Sequence, residues 1–285
     1  MLPLRLAVIW RHVDVVRVLL NAGADPSSAI DDVSCGAPKV IQLLLERGAD
    51  PNYTGEYRSN PGPLTQTVVQ GPADSKLVRK CLQSAALLIK YGAKTSGVPS
   101  NSQMPLIAAV DAHSVPFLEL LLSKGANVNA VNIAGLTPLM EAVRLHADEV
   151  DCPKRFDNVC GNAPYLQMIR VLLDHGANPN LRDKDRWNAL FANRYPYLSG
   201  STPLCIAARY GWIDVAKLLL AHGANPSIPR SDGATPLAIA RGARHLGTAA
   251  VIAKSIQPPR KPEPANHVAA SGVIKLQPVG KRIEQ

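Results

Sequence analysis

A phrase of two apolar residues, two variable residues and a glycine recurs along the chain. It reads LLNAGADPS, LLERGADPN, LIKYGAKTS, LLSKGANVN, LLDHGANPN and LLAHGANPS, and alanine follows every glycine. An amphipathic helix that ends on a left-handed residue has this pattern, because glycine adopts a positive φ without strain from a Cβ atom. The pattern therefore predicts six helix ends, at Gly23, Gly48, Gly92, Gly125, Gly176 and Gly223.

A second phrase precedes these helix ends and predicts helix starts. It reads LPL, GPL, MPL or TPL, with its proline at Pro3, Pro63, Pro105, Pro138, Pro203 and Pro236. Threonine caps helices, and proline is tolerated at the first helical position. Three of the separations from proline to glycine are 20 residues, and three from glycine to the next proline are 13, so the period is 33. Each unit is predicted to be a helix, a short loop, a second helix and an extended finger.

The 33-residue period and the TPL phrase resemble the ankyrin repeat family. The resemblance covers about residues 1–255 as seven units, the last without a glycine stop. It implies an all-α, ankyrin-type helical repeat solenoid with finger loops, and a role in protein–protein interaction. The family usually has histidine after TPL, and other residues stand there in this chain, so we expect less regular turns. The second unit is eight residues short and lacks TPL, which weakens the prediction of its first helix.

Three units are longer than the period. In two of them the additional residues, near 70–80 and 146–165, fall between the two helices of the unit. In the sixth unit fourteen additional residues fall in the finger, at 181–200. Within this finger insertion Trp187, Leu190 and Phe191 have helical spacing, which favours local packing. Direct contact with a partner and disordered filler are the alternatives, and packing and contact are compatible.

Alignment of the units predicts which side chains line the concave face. In its C-terminal half these are Arg144, Arg209 and Tyr210, and the finger insertion contributes Arg186, Trp187, Arg194 and Tyr197. Tryptophan, tyrosine and arginine are enriched at binding hot spots. We therefore predict that this half of the face binds a protein or peptide, such as an acidic or phosphorylated segment with an aromatic or apolar anchor. The alternative is an ordinary solvated helix surface.

Charge and cysteine content narrow the class of partner and the compartment. The net charge is +9, of which the last thirty residues carry five basic and two acidic groups, so the body has no basic stripe of the kind that follows phosphates. We expect a monomer without a nucleic-acid partner, and keep a nuclear, transcription-associated cofactor as the alternative.

The five cysteines are odd in number and fall mostly in predicted helices. This predicts no disulfide framework and an intracellular, cytoplasmic protein, with the nucleus as the alternative location.

No catalytic constellation is apparent in the sequence. Motifs for nucleotide binding, zinc proteases and hydrolases are absent, so we expect no enzyme and no cofactor, with a divergent enzyme as a remote alternative. The segment HADEVDCPKRFDNVCGNAPY contains His146, Asp151, Cys152, Asp157 and Cys160. Its two cysteines lack the spacing of a structural zinc site, so a surface loop is favoured over a metal site or a Cys152–Cys160 disulfide.

The two ends of the chain differ from the array. Residues 256–285 are basic and proline-rich, which predicts a disordered tail. No window holds the roughly 20 apolar residues of a membrane span. The chain starts directly at the first helix without a polar capping unit, so we expect exposed apolar surface there. Another segment covers that surface, or the chain is incomplete; the sequence leaves both open.

Overall fold

A computed structural model describes residues 3–33, 35–54, 61–70, 75–96, 104–132, 135–150, 164–183 and 200–256. Within these ranges every regular element is a helix, which confirms the all-α prediction. The predicted tail lies outside the described residues, except for Ile256.

The helices come in pairs, one pair for each predicted unit. Their bounds are α1 Pro3–Ile9 and α2 Val13–Asn21; a 3₁₀ helix Pro26–Asp32 and α3 Pro38–Glu46; α4 Pro63–Val69 and α5 Ser75–Lys90; α6 Pro105–Asp111 and α7 Val115–Ser123; α8 Pro138–Val150 and α9 Tyr165–Asp174; α10 Pro203–Tyr210 and α11 Ile213–Ala221; α12 Pro236–Gly242 and α13 Leu246–Ile256. First helices pack against first helices of neighbouring units, and second helices against second helices. In keeping with the sequence-based prediction, the layer of first helices is called the concave side below and the layer of second helices the convex side.

The helix starts and stops follow the two phrases. The hydroxyl of Thr202 accepts the N–H of Cys205 at 3.3 Å, and that of Thr235 accepts the N–H of Ala238 at 3.3 Å. The six glycines of the stop phrase have φ between +78° and +97°. The predicted caps and stops are therefore confirmed.

The second unit departs from the α-helical pattern. Its first element is the 3₁₀ helix, which starts where the carboxylate of Asp25 accepts the N–H of Ser27 at 2.9 Å. It buries Ala29 and Ile30. Its seven residues are as many as those of α1 or α4, but it starts only three residues after Gly23. The unit is therefore short because the finger before its first helix is short.

Two of the insertions lengthen helices. The helix α5 starts at Ser75, so much of the 70–80 insertion forms the N-terminal end of a second helix. The helix α8 continues to Val150 and takes in the first residues of the 146–165 insertion. Residues 151–163 lie outside the described ranges.

Asparagine side chains join successive fingers. The Oδ1 atom of Asn180 accepts the N–H of Asn225 at 2.7 Å, and its Nδ2 donates to the carbonyl of Gly223 at 2.9 Å. The same two bonds recur in other units: Asn52 with Lys94 and Gly92, and Asn129 with Asn178 and Gly176. Ser96 stands at the equivalent place in the fourth finger, and no hydrogen bond of its side chain to the fifth finger is present among the described residues. The finger bonds thus fall into two groups, one up to the fourth finger and one from the fifth finger onward.

A disulfide joins Cys35 and Cys81, contrary to the expectation of no disulfides. Both cysteines are buried, and their Cα atoms are 4.5 Å apart. Cys35 lies in the turn before α3 and Cys81 in α5, so the pair connects the second and third units. An odd cysteine count leaves at least one cysteine unpaired but does not exclude a pair elsewhere, and Cys205 is a free, buried thiol.

The first unit exposes apolar side chains, as the sequence analysis predicts. Val15 is 49% exposed and Val18 is 66% exposed. The residues at the place of Val15 in the later units are all buried, with exposures of 0–1%: Val40, Ser84, Phe117, Met168, Val215 and Thr248.

Replacing Asn180 with alanine is predicted to destabilise the array. The substitution removes both finger bonds, so we expect the free energy of unfolding to fall by about 1–2 kcal/mol. Chemical denaturation monitored by circular dichroism measures the change. Ser227→Ala is the matched control, since this side chain occupies the same place in the next finger without such a bond, and we expect its effect to stay within about 0.5 kcal/mol. Equal losses in the two variants would contradict the assigned role of the asparagine.

Candidate partner-binding face

The structure places three of the seven predicted binding residues. Arg144 lies on α8, and Arg209 and Tyr210 lie at the end of α10. All three are partly buried and lie on first helices of neighbouring units. Arg186, Trp187, Arg194 and Tyr197 lie outside the described residues, so the finger insertion stays a prediction.

Arg144 forms an ion pair within its own helix. Its Nε atom donates to Oε2 of Glu141 at 3.0 Å, and a second guanidinium nitrogen contacts Oε1 of the same carboxylate. The side chains of Arg144 and Glu141 are only 13% and 6% exposed. The guanidinium is therefore largely neutralised inside the protein, which alignment of the units did not reveal.

Asp111 of the preceding unit completes this cluster. As a residue it is exposed, but its carboxyl group lies close enough to that of Glu141, across the α6–α8 contact, for the two to interact electrostatically. Partial burial of the carboxyl group, together with the nearby charge of Glu141, raises the pKa of Asp111 to about 7, and Arg144 opposes the shift. The middle of the concave face thus presents two carboxyl groups that share one guanidinium.

Tyr210 is one half of an aromatic stack. Its ring lies parallel to that of Trp212, with the centroids 4.9 Å apart and an interplanar angle of 10°. Trp212 is buried at 8% exposure, whereas Tyr210 is half-buried. The stack fixes the orientation of the tyrosine and leaves part of its surface accessible beside Arg209. Such a held aromatic side chain costs little entropy when it binds a partner.

The base of the sixth finger is closed by hydrogen bonds. The N–H of Asp183 donates to the carbonyl of Ser201 at 3.1 Å, and the N–H of Ser201 donates to Oδ1 of Asp183 at 2.6 Å. The corresponding backbone bond closes the shorter fingers of the fifth and seventh units, Asn132 to Leu136 and Arg230 to Ala234. The insertion therefore leaves and rejoins the array at the same place as an ordinary finger tip.

Arg182 and Gly200 hold this base next to the seventh finger. The Nε atom of Arg182 donates to the carbonyl of Gly200 at 2.9 Å. Gly200 has φ +65°, and a Cβ atom there would come within 1.9 Å of Oγ of Ser231. Only glycine fits this position. Arg182 is thus a structural residue at the root of the insertion that the sequence analysis did not single out.

The N-terminal half of the concave face carries an exposed aromatic side chain. Trp10, at the C-terminal end of α1, is 69% exposed, and Val69, the last residue of α4, is 50% exposed. Alignment of the units places Ile9 and Val69 in the same row as Arg144 and Arg209. This half of the face is apolar where the C-terminal half is charged.

The histidines near the helix stops make the local bonds expected from their position. His175 and His222 each contact the carbonyl four residues earlier through Nδ1, at 2.8 and 2.9 Å, and Nε2 of His222 lies 3.1 Å from Asp174. Within the described ranges no group of three or more metal-ligating side chains occurs. The segment with His146, Cys152 and Cys160 falls outside that search.

Family models of the ankyrin repeat match this chain. A model of three ankyrin repeats matches residues 159–261, and a single-repeat model matches residues 1–32 and 101–133. The ankyrin repeat protein YahD of Escherichia coli is 34% identical over 178 residues, which cover 62% of this chain and 70% of YahD. The chain therefore belongs to the ankyrin repeat family.

Other relatives share the repeats but are longer. The B-cell lymphoma 3 protein homolog of mouse is 29% identical over 191 residues, which cover 64% of this chain and 37% of the mouse protein.

The crystal structure of the ankyrin repeat domain of Bcl-3 matches 89% of this chain and 98% of that domain, at 21% identity and a TM-score of 0.66. An ankyrin repeat domain from Acinetobacter baumannii matches 78% of this chain and 98% of its own length, at 26% identity and a TM-score of 0.60. These structures share the fold of this chain.

None of the helices in the described part of the chain is both long enough and apolar enough to cross a bilayer.

The carboxyl cluster on the concave face predicts a pH-dependent stability. Because the folded-state pKa of Asp111 is raised to about 7, its protonated form stabilises the fold at low pH, and this contribution is lost as the pH rises through about 7. The melting temperature of the wild type should therefore fall between about pH 5 and pH 8 more than that of Asp111→Asn, which stays neutral. Differential scanning fluorimetry measures both.

Asp214→Asn is the control for this test, because Asp214 is an exposed carboxylate in the first turn of α11, on the opposite side of the array. We expect it to keep the pH dependence of the wild type. If the melting temperature of Asp111→Asn depends on pH as that of the wild type does, protonation of Asp111 is not coupled to folding.

Proposed function

We propose that this protein is a non-enzymatic adaptor, scaffold or inhibitor that binds a protein or peptide through the C-terminal half of its concave face and its finger loops. Ankyrin repeat proteins generally mediate protein–protein interaction and are typically not enzymes. One observation supports this half of the face above all: the Tyr210–Trp212 stack and Arg209 lie on the unit whose finger carries the insertion. In this proposal the insertion supplies Arg186, Trp187, Arg194 and Tyr197 to the same partner.

The structure changes the role that Arg144 has in this proposal. A guanidinium already paired with Glu141 gives up that pair before it binds an anion, so its contribution to affinity is small. Arg209 is the second cation of the face and lies next to Tyr210 at the end of α10. A partner segment that carries an acidic or phosphorylated group and an aromatic or apolar anchor fits Arg209 beside the tyrosine.

The test is affinity capture from the native host with the intact protein and a Trp187→Ala/Arg209→Ala variant. We expect the variant to lose the partners that the wild type retains, because hot-spot residues each contribute about 2 kcal/mol or more, which is roughly 30-fold in Kd. Quantitative mass spectrometry of the captured proteins measures the loss.

Two further variants locate the face. Lys217→Ala, on the convex helix α11 with a side chain that is 59% exposed, is the matched surface control and should retain every partner. Trp10→Ala removes the exposed aromatic residue of the N-terminal half. If Trp10→Ala abolishes capture while the Trp187→Ala/Arg209→Ala variant retains it, the binding face lies in the other half of the array.

A second candidate function is that of a nuclear, transcription-associated cofactor. The observation in its favour is the net charge of +9 with its basic C-terminal end. In that case partner recovery should fall steeply between low and moderate salt and be lost after nuclease treatment, since phosphate contacts release counterions. Under the first proposal recovery survives nuclease, and the protein acts as a cytoplasmic monomer.

A further inference from the structure

The turn that precedes α3 is fastened to the third unit at several points. Besides the disulfide from Cys35 to Cys81, the N–H of Cys35 donates to Oε1 of Gln70 at 3.2 Å, and the hydroxyl of Ser84 donates to the carbonyl of Cys35 at 2.5 Å. Gly36 lies so close to α5 that a Cβ atom there would meet Cδ1 of Leu77 at 2.7 Å. One short turn therefore connects the second unit to both helices of the third.

This connection compensates for the small amount of apolar surface that the first element of the second unit buries. Its first element is a seven-residue 3₁₀ helix with two buried residues, whereas α6 and α10 each bury six. A repeat with so little buried apolar surface depends on its neighbours for stability. The disulfide supplies a covalent link between this unit and the third unit.

The row of finger bonds is interrupted after the third unit. Asn52 joins the third and fourth fingers, and Asn129 and Asn180 join the fifth to the seventh. Ser96, in the fourth finger, makes no equivalent bond among the described residues, so the third and fourth units meet through helix packing without it. Each unit of a repeat array contacts only its neighbours, so one group of units can open while another stays folded.

We propose that the Cys35–Cys81 disulfide is a redox-sensitive cross-link that keeps the first three units folded, and that its reduction loosens these units while the fourth to seventh stay folded. The inference does not rest on the proposed function, because the binding residues of that proposal all lie in the fifth and sixth units. Reduction would alter the exposed, apolar N-terminal half of the concave face, which contains Trp10 and Val69, and leave the charged half in place.

The chemistry requires an external thiol. A thiolate of a dithiol donor attacks one of the two sulfur atoms, forms a mixed disulfide and releases the other protein sulfur, which takes up a proton. The second donor thiol then displaces the remaining protein sulfur, which is also protonated, so the protein gains two thiols and the donor becomes a disulfide. Both protein sulfurs are buried, so attack follows local opening of the first three units.

The experiment is hydrogen exchange with mass spectrometry on the full chain, before and after treatment with a dithiol. A cross-link of this kind stabilises by about 2–4 kcal/mol, so reduction should speed amide exchange in α1–α5 by roughly 30-fold or more. Exchange in α6–α13 should not change. Peptide mapping without reductant should first recover Cys35 and Cys81 in one cross-linked peptide.

Two variants complete the test. Cys35→Ala/Cys81→Ala should exchange like the reduced wild type with or without dithiol, and if it does not fold, chemical reduction of the wild type remains the deciding measurement. Cys205→Ala, which removes the free buried thiol of the sixth unit, should keep the redox dependence of α1–α5. The proposal is overturned if the cross-linked peptide is absent, if exchange is the same in both states, or if reduction speeds exchange equally in all helices.

Discussion

The apolar side of each helix pair needs a neighbouring pair to cover it, and the rest of the structure depends on this constraint. One row of side chains shows its effect: Phe117 and Met168 are fully buried, whereas Val15, at the same place in the first unit, is half exposed. The residue type hardly matters in this row, since Ser84 and Thr248 are buried there as well. Stacking removes these positions from water, and the short helices are stable because of it.

Elements that depend on local sequence were predictable. A glycine stop and a threonine cap each act within one turn of a helix, so the phrases around Gly176 and Thr202 reveal them without knowledge of the neighbours. The 33-residue period then gives the order of the helices and the position of the finger insertion.

Features that depend on contacts between units were not predictable in the same way. The pairing of Cys35 with Cys81 requires knowledge of how a shortened second unit stacks on a third unit with a lengthened helix. In the carboxyl cluster, Arg144 contacts Glu141 three residues earlier in the same helix, and Glu141 interacts with Asp111 of the preceding unit. Alignment of a single row of positions shows neither interaction. Alignment predicted Tyr210 as a concave-face residue but gave no sign that Trp212 stacks on it, because that stack depends on the turn between α10 and α11.

The closed base of the sixth finger has a consequence for how this protein can diverge. Hydrogen bonds between Asp183 and Ser201 close the finger at its base. Gly200 fits against Ser231, and this contact does not involve the residues between 183 and 200. Residues 184–199 are thus attached to the array through a junction that their own sequence does not determine. A change in the sequence of this segment therefore leaves the residues that bond at the junction unaltered. If the insertion binds the partner as proposed, the choice of partner and the closure of the finger base depend on different residues.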